Sequence, residues 1–583
     1  MTRTDKIWEV APIDQARVSL LATELSLPKP LAAILLNRGV ENRAQAERFF
    51  SPTLADLPSP FLMKGMAEAV EIVLAALGKQ TPVIVYGDYD VDGTTGAALL
   101  YLFLKKIGFS ETYVCQPHRL HDGYGLHLEA IRRIVPTGLL EKGPLIITVD
   151  CGISSQQQVR ELRDFGCRVI VTDHHQPPDE LPEADAVVDP QQKDCPFPEK
   201  YLAGVGVAFY LAMGIRKSLH EKGMFEPETG REIPNLKSYL DLVAVGTVAD
   251  MVPIIGVNRI IVKAGLEVLG ALGRPGLEQL KKVSGIVDSG ITCEDIGFRI
   301  GPRLNAAGRM GDAGRALDLL VTEDHVRAAD LAQELNSENE LRKSVLEAMC
   351  QEAVVQAESA VKEGKNGLII IGDGWHPGVI GIGAARMVEK FNRPTLFFTI
   401  QDGMAKGSGR SVNGVNLHEI LKEKDELFAA FGGHEAAVGL TLPMENLPAL
   451  EAHFQERLGE IATETMFVPK VTIAWHEESG SIFAPEFLQM YEKMGPFGMG
   501  NPEPVFSAQG DMEKPREVGV NHLKFTARFN GEILDGIGFG LGDFQSLISS
   551  GQPLKVAFRL RRNTYRNKTS WQVEAVDFKQ LSV

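Results

Sequence analysis

The stretch VIVYGDYDVDGTTG, residues 83 to 96, places three carboxylates at alternate positions, Asp88, Asp90 and Asp92, behind an apolar run and ahead of Gly93 and two threonines. Two ionised carboxylates ~4 Å apart repel by about 4 kcal/mol at an effective dielectric of about 20, so the cluster implies a cation or raised pKa values. Comparable runs also close on aspartates: Asp150 in IITVDCGIS, Asp173 in VTDHHQ with His174 and His175 behind it, Asp189 in AVVDP, and Asp250 in LVAVGTVADMVPI. In open parallel sheets ligands collect beyond the carboxyl ends of the strands, so Asp90, Asp150, Asp173 and Asp189 are candidates to converge. Four or more carboxylates with one or two imidazoles suit Mn²⁺ or Mg²⁺ better than structural zinc, which favours thiolate.

Two other readings of the opening motif fail. As a calcium loop it has Leu99 at the twelfth position, where a bidentate Glu is required, and no helix precedes it. DVDGTT also resembles the nucleophile motif of haloacid-dehalogenase-type phosphatases, with Asp90 attacking phosphorus and Asp92 as general acid. That chemistry needs a later acidic pair, and in IIIGDGWHPG the second position is Pro377.

DYDVDG, VDCG, TDHH and GTVADMVP, in this order and spacing, resemble the four motifs of the DHH phosphoesterase superfamily. GGHEAAVG, residues 432 to 439, matches its companion motif. With the barrel-like carboxyl terminus described below, the chain from about residue 80 to 583 resembles the bacterial RecJ single-strand-specific exonucleases. The resemblance implies two divalent cations, Mn²⁺ or Mg²⁺, held by Asp90, Asp92, Asp150, His174 and Asp250, with Asp150 bridging. Where pyrophosphatases of the superfamily carry a His, this chain has Tyr86, so one ion is expected to have fewer protein ligands. His175 is expected to contact a phosphate oxygen and Asp173 to orient a histidine. Asp88 either faces the ions or caps the turn.

Arginine beside glycine in loops suits bidentate capture of phosphate. QPHRLHDGYG holds Arg119, GPRLNAAGRM holds Arg303, Asn305 and Arg309, and GSGRSV holds Ser408, Arg410 and Ser411. Taken singly, each Arg is equally a surface residue. By the resemblance, Arg119, Arg309, Ser408 and Arg410 hold the 5′ end of a strand, Asn305 belongs with them, and His434 lies near the DNA path. The implied reaction is two-metal hydrolysis of single-stranded DNA from 5′ to 3′, releasing 5′-mononucleotides in repair and recombination. Implied partners are single-strand-binding protein and a helicase, with the enzyme itself a monomer. The other enzyme reading is a DHH-type phosphodiesterase acting on cyclic dinucleotides or short oligonucleotides; a non-catalytic DNA-binding factor is disfavoured by intact ligands in all four motifs.

These residues need elements to position them. A chain of 583 residues with 44% hydrophobic and 23% charged content has room for several cores. The expected class is α/β: two α/β domains of DHH and DHHA1 type with parallel-sheet cores, joined by a long helix, plus a carboxyl-terminal OB-like β-barrel. Expected boundaries are a helical region over 1–75, the DHH domain over 76–255, a helical region with the connector over 256–365, the DHHA1 domain over 366–465 and the barrel over 466–583. TPVIVYG, PLIITVD, RVIVTD and DAVVDP alternate with helical patterns, the signature of a parallel sheet. The segment 322–364 reads as one helix capped at Thr322, with apolar positions 331, 335, 341, 345 and 349. From residue 520 the pattern has period two, with Asn530-Gly531 as a hairpin turn.

FRLRRNTYRNKTSW, residues 558 to 571, sets Arg559, Arg561, Arg562, Arg566 and Lys568 among Phe558, Tyr565 and Trp571. That composition suits a groove for single-stranded nucleic acid or, alternatively, a charged edge strand. A net charge of −16 supplies no general attraction to nucleic acid, so local patches or metal must do so. The six cysteines are scattered without a CxxC pair, arguing against a disulfide framework or zinc site. No apolar run reaches the ~18 to 20 residues of a membrane span, and a cytoplasmic enzyme with no membrane association is expected.

Overall fold

The computed structural model describes residues 6–581 apart from 120, 272, 287–289, 464, 566 and 567, and does not describe the side chains of 564, 565, 568 and 569. The chain forms two compact units, one of residues 54–467 with 498–500, the other of residues 1–53, 468–497 and 501–583. The helical region expected over 1–75 is therefore divided between them.

The larger unit contains two sheets. In the first, five strands run parallel in the order Thr112–Cys115, Val83–Gly87, Leu145–Val149, Arg168–Thr172, Ala186–Val188. Val83–Gly87 and Leu145–Val149 are buried along their whole length, as strands covered by helices on both faces must be. Alternation sends Val83 and Val85 into one core and Ile84 and Tyr86 into another on the opposite face. Helices Val91–Ile107, Gly204–Glu221 and Leu240–Ala249 pack in the first of these cores.

The second sheet pairs Leu368–Asp373 in parallel with Thr395–Gln401 and continues antiparallel through Met404–Arg410, Ala437–Pro443 and Ala430–His434. Helix His325–Lys362 connects the two sheets, its 38 residues spanning about 57 Å. Its first half contributes Ala328, Leu331, Ala332 and Leu335 to the first core, and its second half contributes Leu346, Met349, Ala353 and Ala357 to the second. Two details differ from the pattern read in the sequence. Asp324 rather than Thr322 caps the helix, its carboxylate accepting from the Val326 and Arg327 amides, because an ionised cap also suits the positive end of the dipole. Leu341 is 53% exposed, since it falls between the two cores that the helix bridges.

In the smaller unit, Phe506–Val518, His522–Phe529, Glu532–Gly538, Lys568–Gln580 and Leu554–Tyr565 pair in that order, and Leu554–Tyr565 returns to Phe506–Val518 to close a barrel. Inward and outward residues alternate strictly along His522–Phe529. Asn530 and Gly531 both take positive φ, as a tight hairpin with matching twist requires. Strand Ile7–Val10 pairs in parallel with Lys470–Ile473 of the same unit.

The basic run at 558–571 needs correcting as a stacking groove. Phe558 is fully buried in the barrel core and offers no open face. Arg559 pairs with Glu574, Arg561 with Glu503 and Glu574, and Arg562 with Glu492, so three of the five cations already face carboxylates. Arg566 lies outside the described residues, as do the side chains of Tyr565 and Lys568.

Candidate active site

Asp90 and Asp92 sit where strand Val83–Gly87 turns into helix Val91–Ile107. Asp90 is the helix cap, its Oδ1 accepting from the Gly93 amide at 3.0 Å. Asp92, in the first turn and fully buried, accepts from the Gly204 and Val205 amides at 2.5 and 2.8 Å. Those amides open helix Gly204–Glu221, so the positive end of one helix holds the carboxylate of another. Asp150 follows strand Leu145–Val149 with φ +64°, a left-handed conformation uncommon for any residue but glycine. Gly204 permits this crowding: a Cβ added there would lie 2.6 Å from Asp150 Cβ.

His174 Nε2 approaches Asp150 Oδ1 at 3.0 Å, Asp250 Oδ2 at 3.7 Å and Asp92 Oδ2 at 3.8 Å. Ligand-sized groups form from Asp92, His174 and Asp250; from Asp150, His174 and His175; and from Asp88, Asp90 and Asp150, with the donor atoms of each group within 4.8 Å of one another. All five expected metal ligands thus come together, and Asp88 joins them. Its buried Oδ1 has no hydrogen-bond partner, which favours an ion-facing role over a turn cap. Asp189 does not join. It shares none of these groups among the described residues, and its Oδ1 instead accepts from the Gln191 amide at 2.7 Å. Tyr86 turns into the opposite core, where its hydroxyl donates to Gly125 O at 3.0 Å and accepts from the His127 amide at 3.1 Å.

The charges are strongly coupled. Burial, then repulsion from Asp90, raises Asp92 to about 7. Burial, then Asp92 and Asp90, raises Asp250 to about 9 and drives Asp150 upward as well. Burial and the charge of His175 lower His174 to about 4, leaving it neutral and free to donate a lone pair. Burial would lower His175 too, but its hydrogen bond to Asp173 and the charges of Asp173, Asp250 and Asp90 outweigh this and raise it to about 9. Asp173 belongs to none of the ligand groups among the described residues: Oδ2 accepts from the Ile153 amide at 2.9 Å, and Oδ1 accepts from the His174 amide and meets His175 Nδ1 at 2.7 Å. The Tyr124 hydroxyl also lies 3.2 Å from His175 Nδ1.

Such mutual repulsion among buried carboxylates, with Asp150 Oδ1 and His174 Nε2 3.0 Å apart yet hydrogen-bonded neither to each other nor to another group, is what bound cations would relieve. An oxygen-rich set with neutral imidazole fits Mn²⁺ or Mg²⁺.

Beside this centre lies a cluster of cations. Arg309 is partly buried, donates to Gly378 O at 3.1 Å, and is lowered to about 9 by desolvation and by the charges of Arg119, Arg342 and Arg410, while Asp90 opposes the shift. Ser408 and Arg410 point the same way from strand Met404–Arg410, with Arg410 Nη1 donating to Ser408 Oγ at 2.9 Å. Helix Ile380–Phe391 starts against them: a Cβ on Gly381 would lie 3.1 Å from Ser408 Oγ and 3.2 Å from Arg410 Nη2. Arg119 lies over the Tyr89 ring at 4.9 Å. Asn305 precedes Arg309 by one helical turn. His434 is exposed, and the register Arg410↔Ala437↔His434 sets it two strands from Arg410, about 10 Å away. Arg303 and Ser411 lie outside the cluster, bonded to Asn336 and Val415 respectively.

Residues 82–247 match the DHH family, N-terminal domain, residues 364–460 match the DHHA1 domain, and residues 480–577 match the RecJ OB domain. The single-stranded-DNA-specific exonuclease RecJ of Dickeya dadantii (strain 3937) is 38% identical over 568 residues, covering 94% of this chain and 96% of that protein. The chain belongs to the RecJ family. RecJ of Bacillus subtilis (strain 168) is 35% identical over 577 residues, covering 98% of this chain and 70% of the relative. The crystal structure of RecJ from Thermus thermophilus in complex with Mn²⁺ matches with a TM-score of 0.82 at 31% identity, covering 99% of this chain and 80% of that one. A RecJ from the same source has also been solved with Mg²⁺.

Several residues at this RecJ-type site escape sequence reading. The amides of Gly204 and Val205, the hydroxyl of Tyr124, Gly381 and Arg342 are brought in by packing. Their only local signals are glycines at two apolar helix starts, GVGVAF and GIGAAR, which resemble ordinary helix-packing glycines.

Proposed function

We propose that this protein is a metal-dependent exonuclease that degrades single-stranded DNA from the 5′ end and releases 5′-mononucleotides. The observation carrying this reading is the adjacency of a carboxylate–histidine centre and a partly buried arginine cluster, close enough for Arg309 to feel the charge of Asp90. Asp90, Asp92, Asp150, His174 and Asp250 would hold two divalent cations, Mn²⁺ or Mg²⁺, with Asp88 supplying an oxygen where Tyr86 withholds a histidine. Bound there, the cations lower the pKa of water and neutralise charge developing on the phosphate.

The chain's own groups do the rest. His175, held protonated by Asp173, donates to a non-bridging phosphate oxygen. Arg119, Arg309, Arg410 and Ser408, with the amino end of helix Ile380–Phe391, bind a terminal 5′ phosphate. Asn305 and His434 contact the strand on either side. With its first phosphate fixed in this cluster, a strand presents its next phosphodiester to the carboxylates, which accounts for stepwise release of single nucleotides. The RecJ OB domain and full-length similarity support a polymeric substrate over a cyclic dinucleotide. Family membership supports a repair and recombination role, with single-strand-binding protein and a helicase as partners of a monomeric cytoplasmic enzyme. Among the described residues no single helix is long and apolar enough to cross a membrane.

The test digests a 5′-phosphorylated single strand, its duplex and matched RNA with Mn²⁺, following labels at each end. Early release of the 5′-terminal label as a mononucleotide, from single-stranded DNA alone, is expected. Release from the 3′ end, internal cuts or equal attack on duplex would overturn the reading.

A further inference from the structure

A cavity of about 160 Å³ opens between the two sheet domains of the larger unit; Asn305 and Arg309 border it, but the roles above put no part of the substrate inside it. Its walls are of two kinds. On one side the surface is nearly bare of side chains: Ala249, which precedes Asp250, and Gly297, Gly301 and Pro302 at the start of helix Gly301–Met310. A Cβ added to Gly297 would meet nothing within 4 Å, whereas one on Gly301 would lie 3.6 Å from Ala249 Cβ. Gly297 belongs to a π-helical turn, Ile296–Ile300, an arrangement often found at functional sites. On the other side stand donors, Asn305, Arg309 and Arg342, with the apolar Ile382 from the second sheet domain beside them. Arg342 comes from the long connecting helix. Its Nη2 donates to Asn339 Oδ1 at 2.9 Å, but its buried Nε has no partner.

The volume equals about five waters at roughly 30 Å³ each, enough for a ring system. Flat small-residue walls suit the faces of a planar heterocycle, and amide and guanidinium donors suit the ring nitrogens and carbonyl oxygens that every base carries at its edge. A phosphate is served less well here, because the bare walls would give it nothing and Arg309 already faces the neighbouring cluster. The cavity adjoins both sites, with Arg309 on the phosphate-cluster side and Ala249 next to the metal centre's Asp250.

We infer that this cavity receives the base of the terminal nucleotide, the one whose 5′ phosphate meets the arginine cluster and whose following phosphodiester is cut. The inference rests on the exonuclease reading. It makes Arg342 a substrate-contacting residue and implies that any base is accepted, since the contacts are stacking surfaces and generic donors. The base would also tie the terminal nucleotide at a point between its two phosphates.

Two 5′-phosphorylated single strands, identical except that one lacks the terminal base, are compared by kcat/KM. Wild-type enzyme is expected to lose about tenfold on the abasic strand, the size of one base-stacking contact. Gly297→Leu, which adds bulk to the cavity wall, is expected to cut both strands equally and slowly, with unchanged circular dichroism. Arg342→Gln is expected to slow only the strand that has its base. Equal rates of wild-type enzyme on both strands overturn the inference while leaving the exonuclease reading intact. Should Gly297→Leu fail to fold, the wild-type ratio and Arg342→Gln still decide. Failure to cut either strand overturns the exonuclease reading itself.

Discussion

Gly204 touches no substrate in this scheme, yet its replacement by alanine is expected to impair the reaction. The new Cβ would lie 2.6 Å from Asp150 Cβ, 2.9 Å from its Cα and 3.0 Å from its Cγ. Carbon atoms prefer about 3.5 to 4.0 Å, so Asp150 or the start of the helix must move by nearly 1 Å. Overpacking of this kind costs about 1 to 3 kcal/mol, partly offset by up to about 1 kcal/mol from the better helix propensity of alanine. Net stability therefore falls only modestly. The functional effect is larger, because Asp150 belongs to two of the three ligand groups and the Gly204 amide holds Asp92. A misplacement of about 1 Å can cost about 100-fold in rate. The assay measures initial rates on single-stranded DNA with Mn²⁺, alongside Mn²⁺ affinity by calorimetry. Gly206→Ala serves as comparison: its Cβ would meet only the Leu202 side chain, no closer than 3.4 Å, so it should retain activity and gain slight stability. A Gly204→Ala protein with wild-type rate and metal affinity would refute the proposed packing of helix start against metal ligand.

Asp150→Asn is expected to abolish hydrolysis while preserving strand binding, and to raise the thermal midpoint in chelator by removing a buried, repelled charge; a destabilised yet active variant would contradict the assignment. In chelator the folded pKa values of Asp92 (about 7) and Asp250 (about 9) lie above the unfolded carboxylate value of about 3.9, so the folded state binds more protons. Their contribution to stability is complete below the unfolded value and is lost as the pH rises through the folded values. The thermal midpoint in chelator should therefore drop between about pH 4 and 9, and saturating Mn²⁺ should flatten that slope. Tyr86→Phe is expected to cost about 1 to 3 kcal/mol by orphaning Gly125 O and the His127 amide, with Mn²⁺ affinity unchanged. A large loss of affinity without loss of stability would instead place Tyr86 at the ions.

The metal-ligating chemistry was legible in the sequence because each ligand is written into a short local string: an apolar strand ends, and the aspartate or histidine after it stands at the sheet edge. DYDVDG, VDCG and TDHH need no knowledge of the whole fold to be placed there, and together they single out one edge; Asp250 of ADMVP instead follows helix Leu240–Ala249 and reaches that edge only through packing. Asp189 shows where that logic stops. It too ends a strand, but the turn behind it supplies the Gln191 amide and draws its carboxylate aside. Asp88 was open to two roles because alternation along a strand sets a side, not a partner. The aromatic and basic run near the carboxyl terminus read as a groove, and only the barrel's closure revealed Phe558 as core and Glu503 and Glu574 as the partners of its arginines.

Residue identity at the ends of strands therefore determined the kind of ion, the class of reaction and the domain series. Tertiary structure alone decided which backbone amides hold Asp92, 112 positions away in the chain, and that Arg342 joins Arg309 across a cavity. A ligand string needs only its own strand and turn, whereas a helix start that steadies a carboxylate, or an arginine that completes a pocket, exists only when distant segments pack together.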